Sequence, residues 1–199
     1  MRRCAGFTLP ELMTAVAIIG IVAAIAAPNI SSYLRSRDSA AAADQVSGHM
    51  RYARSRAILE TNDYLVSFLT DTQYILIDDD GGGEGNPENA DFDATARNNG
   101  AADPGENIRG PYELPEGMAF AIATGLKNPF TKQSMVEAVT FPIVDGRKTL
   151  IFRSNGTTNS TGYVAVAPTA DVNAGKISRT RVLQVMKSTG SVEARSAGS

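Results

Sequence analysis

From Leu12 to Ala27 the chain carries no charged side chain, yet a carboxylate, Glu11, stands at the mouth of that run, just after a basic leader containing Arg2 and Arg3. An acidic side chain near a bilayer core costs roughly 2.5 to 3.5 kcal/mol on insertion scales, so it needs a partner if it stays there. Cleavage of the bond between Gly6 and Phe7 can supply one. Phe7 then gains a free amino group one helical turn from Glu11, and the amine of a neighbouring copy can pair with that carboxylate. Pro10 fits the same cut: it becomes the fourth residue of a helix starting at Phe7, where a backbone N–H has no intrahelical acceptor. Phe7 to Ala27 is 21 residues, about 31 Å of helix at roughly 1.5 Å per residue, which matches a hydrocarbon core of about 30 Å.

An ordinary secretory signal would use Arg2 and Arg3 as its basic start and a triplet such as Ala24-Ile25-Ala26 as its cleavage site. Glu11 would then interrupt the start of the apolar region, and the 16 uncharged residues from Leu12 to Ala27 exceed the usual length of about 7 to 15. A lipoprotein signal does not fit, because Cys4 precedes the apolar run.

A short basic leader ending in Gly6, followed by Phe7-Thr8-Leu9-Pro10-Glu11-Leu12 and an Ala/Ile/Val-rich helix, resembles the type III signal of type IV pilins and of the pseudopilins of type II secretion. The resemblance implies removal of residues 1–6 by a membrane prepilin peptidase, methylation of the new Phe7 amine, and pairing of Glu11 with an adjacent subunit's N-terminus. Gly20 and Pro28 fall where pilin helices commonly carry a flexible glycine and a kinking proline. It further implies a single pass through the bacterial inner membrane by residues 7–28, with the rest of the chain in the periplasm before assembly into a pilus or pseudopilus. The partners it implies are other pilin or pseudopilin subunits, the prepilin peptidase and inner-membrane lipid.

Past Pro28 the helix is expected to run to about residue 60. Ile30, Tyr33 and Leu34 keep an apolar stripe, followed by Ala40 to Ala43, and Val46, Met50, Ala53 and Ala57 recur at spacings of 4, 3 and 4. Arg35, Asp38, Asp44, Arg51 and Arg54 occupy the other face and read as solvated, as does Arg56. His49, the single histidine, has no Cys or His near it and reads as a plain helix residue rather than a metal ligand. The formal net charge of −2 gives no global pull toward nucleic acid. With Cys4 in the leader, the mature chain has no disulfide, and one compact domain remains beyond the helix.

After Asn62 the period becomes that of strands. Tyr64 to Leu69 and Gln73 to Ile77 read as a hairpin, Met118 to Ala123 and Ala138 to Phe141 as short strands. Thr149 to Arg153 and Tyr163 to Val166 read as a second hairpin around Asn155-Gly156, and Val182 to Met186 with Ser191 to Ala194 as a third. Between the first hairpin and the later strands, Asp78 to Glu106 holds nine acidic residues against one basic, which predicts a long or disordered loop, bounded at 78–110. Asp78, Asp80 and Glu84 among three glycines suggest a calcium loop, although the spacing departs from the EF-hand pattern. A solvated loop with no cofactor is the plainer expectation.

Three further stretches extend the resemblance: Met50 to Ala57 on the helix, the turn Phe152 to Thr157, and Val185 to Val192. They look like the landmarks of the GspH/FimT family of minor pilins and pseudopilins, which implies an α+β fold, a long N-terminal helix followed by a head of small antiparallel β-sheets over 61–199. The role implied is structural. No Ser/His/Asp set, Cys/His pair or phosphate-binding glycine motif points to an enzyme. Some FimT-type members bind DNA through a basic C-terminal segment, and Lys176, Arg179 and Arg181 lead five positive charges against one negative from Lys176 onward. Here, however, Glu193 stands where those members carry a Gly-Arg-x-Arg run, which argues against DNA as a partner.

Overall fold

A computed structural model of the chain describes residues 9–79 and 106–197, the side chains of 26–29, 31 and 32 excepted. Two compact units are present, Met1–Arg37 and Asp38–Ser199. Helix α1, Leu9–Glu60, is continuous for 52 residues. It is followed in chain order by β1 (Asp63–Phe68), β2 (Gln73–Asp79), β3 (Asn107–Glu113), β4 (Met118–Ala119), β5 (Ile143–Val144), β6 (Arg147–Phe152), β7 (Gly162–Pro168), the five-residue helix α2 (Thr169–Asn173), β8 (Arg181–Val185) and β9 (Val192–Ser196). A five-stranded sheet runs β3-β2-β1-β6-β5 and a four-stranded sheet runs β4-β7-β8-β9. Every pairing in them is antiparallel. The helix followed by small antiparallel sheets is the α+β arrangement expected from the sequence.

In the second unit the stripe read from spacing is the core. Val46, Met50, Ala53 and Ala57 are each 0% exposed. They share one cluster with Tyr64, Val66, Leu76 and Leu150 of the first sheet and Val164, Val166, Leu183 and Val185 of the second. The alanines keep this face of α1 thin, so both sheets can reach it. Strand alternation does the rest: Val164 and Val166 face α1, while Ala165 between them turns to the other side, where it meets Leu126 and Met135.

The hairpins β1–β2 and β8–β9 form as their periodicity predicts. The second expected hairpin does not. β6 lies in the five-stranded sheet and β7 in the four-stranded one. The Asn155-Gly156 turn is local, with the Arg153 amide donating to Thr157 O at 2.8 Å, and it leads only to a bridge between Phe152 and Thr158. The expected strands at 118–123 and 138–141 shrink to β4 and to a single bridge between Val139 and Val164.

The acidic segment is narrower than expected. Asp78 and Asp79 close β2, Asp78 pairs with Asn107 of β3, and strand structure continues to Glu113. Residues 80–105 lie outside the described ones. A further hairpin, absent from the sequence expectations, carries a strong local signal: Asp145-Gly146 joins β5 to β6 with φ of 49° and 76°, the paired left-handed conformation of a two-residue type I′ turn.

Candidate functional site

Gly6 and Phe7 lie outside the described residues. Glu11 sits in the first turn of α1, exposed, where a carboxylate is favoured by the partial positive charge of a helix N-terminus. Thr14 Oγ1 donates to the Glu11 carbonyl at 2.9 Å. Beyond it Leu12, Ile19 and Ile25 are 60%, 66% and 65% exposed. Among the described residues no helix is long and apolar enough to cross a membrane. The uncharged stretch alone is 16 residues, about 24 Å, short of the roughly 20 residues a span needs. A span over 7–28 therefore has to include Glu11. At Gly20 an added Cβ would meet nothing within 4 Å, so packing inside this chain does not require the glycine. The helix backbone continues through Pro28.

The three landmark stretches, far apart in sequence, come together. Met50 and Phe152 are fully buried in one cluster. Arg54 Nε donates to Gly156 O at 3.3 Å, and Arg51 Nη2 donates to Val192 O at 3.3 Å. These two arginines tie α1 to the head; Arg54 is half-buried, which corrects its reading as part of a solvated face, while Arg51 stays exposed as expected. Gly190, at φ 60°, closes the knot: a Cβ there would lie 2.4 Å from Gly156 O and 2.9 Å from Arg54 Nε. Spacing could suggest none of this, because each partner is a backbone carbonyl about 100 residues or more away.

Asp78, expected in a solvated acidic loop with calcium as the alternative, is a buried strand residue whose Oδ2 accepts the Tyr64 hydroxyl at 2.6 Å. The Tyr64 hydroxyl oxygen also lies 2.8 Å from Glu60 Oε2. Burial, helped by hydrogen bonds to these two carboxylates, pushes the Tyr64 phenol up. Asp80 and Glu84 lie outside the described residues, and among the described ones no group of three or more His, Cys, Asp or Glu is placed to hold a metal.

His49 is more than a helix residue. Its Nδ1 is 2.7 Å from the Tyr74 hydroxyl, and its ring lies 4.1 Å from that of Tyr112, centroid to centroid. Gln45 Nε2 donates to Tyr74 at 3.5 Å and to Glu113 O at 3.0 Å. Burial lowers the His49 pKa and pushes Tyr74 up to about 12, so a neutral imidazole accepting from a neutral phenol is the favoured pair. The i, i+4 spacing of Gln45 and His49 was the one signal available; their partner Tyr74 lies on β2.

The C-terminal cations differ in their partners and burial. Arg179 grips buried Asp171 with both Nε and Nη2, an ion pair that keeps the guanidinium protonated. This corrects its reading as a phosphate contact. Arg181 is half-buried at the start of β8, and Lys176 is exposed beyond α2. Arg195 stacks over Phe130 at 4.4 Å and lies 3.6 Å from Glu193.

A model of the prokaryotic N-terminal methylation motif matches residues 1–27. Two fimbrial proteins of Pseudomonas aeruginosa are each 46% identical to this chain over 76 residues, 37% of this chain and 48% of theirs. The type IV major fimbrial protein FimA of Dichelobacter nodosus is 40% identical over 75 residues, 38% of this chain and 47% of its own. The chain spans about half the length of the curated relatives it matches. Among solved structures, the minor pseudopilin EpsH of the type 2 secretion system of Vibrio cholerae aligns with a TM-score of 0.46 and 15% identity, over 81% of this chain and 98% of that one.

Proposed function

We propose that this type IV pilin-like chain is a minor pilin or pseudopilin of the GspH/FimT kind, cut after Gly6, methylated on the Phe7 amine, held in the bacterial inner membrane by residues 7–28, and built from there into a short filament. The observation that carries this reading is the methylation motif over residues 1–27, with Glu11 in the first turn of a helix whose following apolar side chains are exposed. An N-methylated amine keeps its positive charge, so the Phe7 ammonium of one subunit and the Glu11 carboxylate of the next neutralise each other in an apolar surround. Burial of the exposed leucine, isoleucine and valine side chains, each contributing about 1.5 to 3 kcal/mol when fully covered, drives association, and the ion pair sets its register. The role is structural, with no reaction at any site.

Intact mass and the N-terminal peptide of the protein recovered from membranes containing an active prepilin peptidase test the reading. A peptide beginning with N-methyl-Phe7 is expected. A mature chain beginning near Ala27 or Pro28 overturns it, because Glu11 would have left with the signal. Glu11→Ala leaves the partner amine uncompensated and should weaken incorporation by about 3 to 5 kcal/mol, while Glu11→Asp retains part of it. The DNA-binding alternative is the weaker one, since Arg179 is already committed to Asp171. A salt-sensitive shift of DNA by the protein, lost in Lys176→Ala with Arg181→Ala, would revive it.

A further inference from the structure

The second unit begins at Asp38, and the next residue is held at once: Ser39, fully buried, donates from Oγ to Arg179 O at 2.7 Å. Eleven residues separate Ser39 from Pro28, about 16 Å of helical chain. Whatever part of the head is tied to Ser39 is therefore tethered close to the end of the span proposed above. That part is the strip from Lys176 to Thr180, with Ala197 beside it, since the Ala197 amide donates to Thr180 O at 2.9 Å.

A pocket of about 360 Å³ opens here, lined by Lys127, Asn128, Pro129, Lys132, Ile177 and Ala197. Its frame is fixed. Lys127 bridges to Ser134, the Met135 amide donates to Leu126 O at 2.9 Å, and Leu126 and Met135 are buried with Ala165 and Val182 of the four-stranded sheet. In the turn between them Asn128, 2% exposed, accepts the Phe130 amide on Oδ1 at 2.8 Å. The charge of the pocket is one-sided. Lys127 and Lys132 are exposed, neither has an ion-pair partner among the described residues, and no acidic side chain lines the walls. Lys176, next to Ile177, is exposed and equally without an ion pair among the described residues.

We infer that this pocket takes the phosphate of an anionic phospholipid headgroup and so docks the head on the membrane that holds residues 7–28. Like-charged ammonium groups gathered on one pocket repel each other, and an anion between them relieves that repulsion. The attraction of lysines to an anionic leaflet fades within a Debye length, so the short tether through Ser39 is what brings it into range. Pro129, Ile177 and Ala197 give the pocket apolar walls for the glycerol carbons that a lipid phosphate carries and a free phosphate lacks. The inference rests on the membrane anchoring proposed above and adds to it a state in which the head of an unassembled subunit lies on the bilayer.

The test uses the full chain, with Cys4→Ser, in vesicles of phosphatidylcholine mixed with phosphatidylglycerol. A fluorophore is attached at Ser178→Cys, beside the pocket, or at Ser188→Cys, in the turn after β8 that reaches Arg54, about 22 Å further along α1 than Ser39. A nitroxide on the headgroup of a tracer lipid quenches a dye lying on the bilayer, and fluorescence lifetimes give the ratio of docked to free heads. Strong quenching at Ser178 and little at Ser188 are expected. Lys127→Gln together with Lys132→Gln should lower the docked ratio about thirtyfold, and Lys127→Arg together with Lys132→Arg should retain it. Quenching at Ser178 that is unchanged in phosphatidylcholine alone, or in the glutamine pair, overturns the pocket's role, because the tether would then account for it. Release by inorganic phosphate at constant ionic strength marks a free-anion site and overturns the lipid assignment. Transfer of the head to duplex DNA supplied at the same phosphate concentration does so as well. A chain that floats with the vesicles while Ser178 stays unquenched overturns the pocket alone, whereas a chain that fails to float overturns the anchoring and the pocket with it.

Discussion

Between Leu12 and Ile25, α1 turns leucine, isoleucine and valine outward on every side, and these side chains stay more than half exposed. Between Ala42 and Ala57 the same helix shows a narrow stripe, four of its six buried apolar residues alanine, and the stripe is sealed by two sheets. A helix apolar all round has no solution in water on its own, whereas a one-sided stripe needs only a facing core. The second stretch is covered by its own head, whereas the side chains of the first stay uncovered among the described residues. Small residues suit the second stretch because a thin face lets Val164 and Leu183 from one sheet and Val66 and Leu150 from the other meet the same helix.

If the head is self-contained, its largest single loss should come from its buried charge pair. Arg179→Ala leaves the Asp171 carboxylate buried without its cation and should cost about 3 to 5 kcal/mol, read as a fall in head stability by urea unfolding. Met50→Ala should cost about 2 to 5 kcal/mol in the same measurement, while Ile19→Ala should leave head unfolding where it was. Equal effects from these two substitutions would break the contrast between the two stretches. Gly190→Ala places a Cβ against Gly156 O at a left-handed φ and should cost about 1 to 3 kcal/mol; an unchanged head would mean that Arg54 is not the clasp described.

The smallest effect concerns pH. Burial depresses the His49 pKa, so the unfolded chain binds more protons than the folded one between the depressed value and 6.5. Stability contributed there is complete above 6.5 and is lost as pH falls toward the folded value. Unfolding followed across that window should show this decline, and His49→Gln should flatten it.

Elements written in local pattern were readable in advance: the methylation motif at the start of the chain, the 4, 3, 4 stripe from Val46 to Ala57, and the hairpins β1–β2 and β8–β9, where partner strands are a few residues apart. The Asp145-Gly146 turn is equally local, but the strand it joins to β6 is only two residues long and leaves no apolar run to flag it. What escaped was membership. β6 and β7 follow one another and alternate alike, yet nothing local says that each will join a different sheet. His49 with Tyr74 and Arg54 with Gly156 escaped for a related reason: a side chain's worth as ligand, surface charge or clasp depends on what distant segment arrives beside it.

Short-range chemistry thus settled which stripe of the helix is buried and which neighbouring strands pair, because periodicity acts within a few turns. Only folding decided that Arg51 and Arg54 would reach backbone carbonyls of the head, and that Asp78, placed by the sequence in an acidic loop, would close a strand and accept the Tyr64 hydroxyl. Those outcomes depend on long-range pairing, whose free energy no single segment carries.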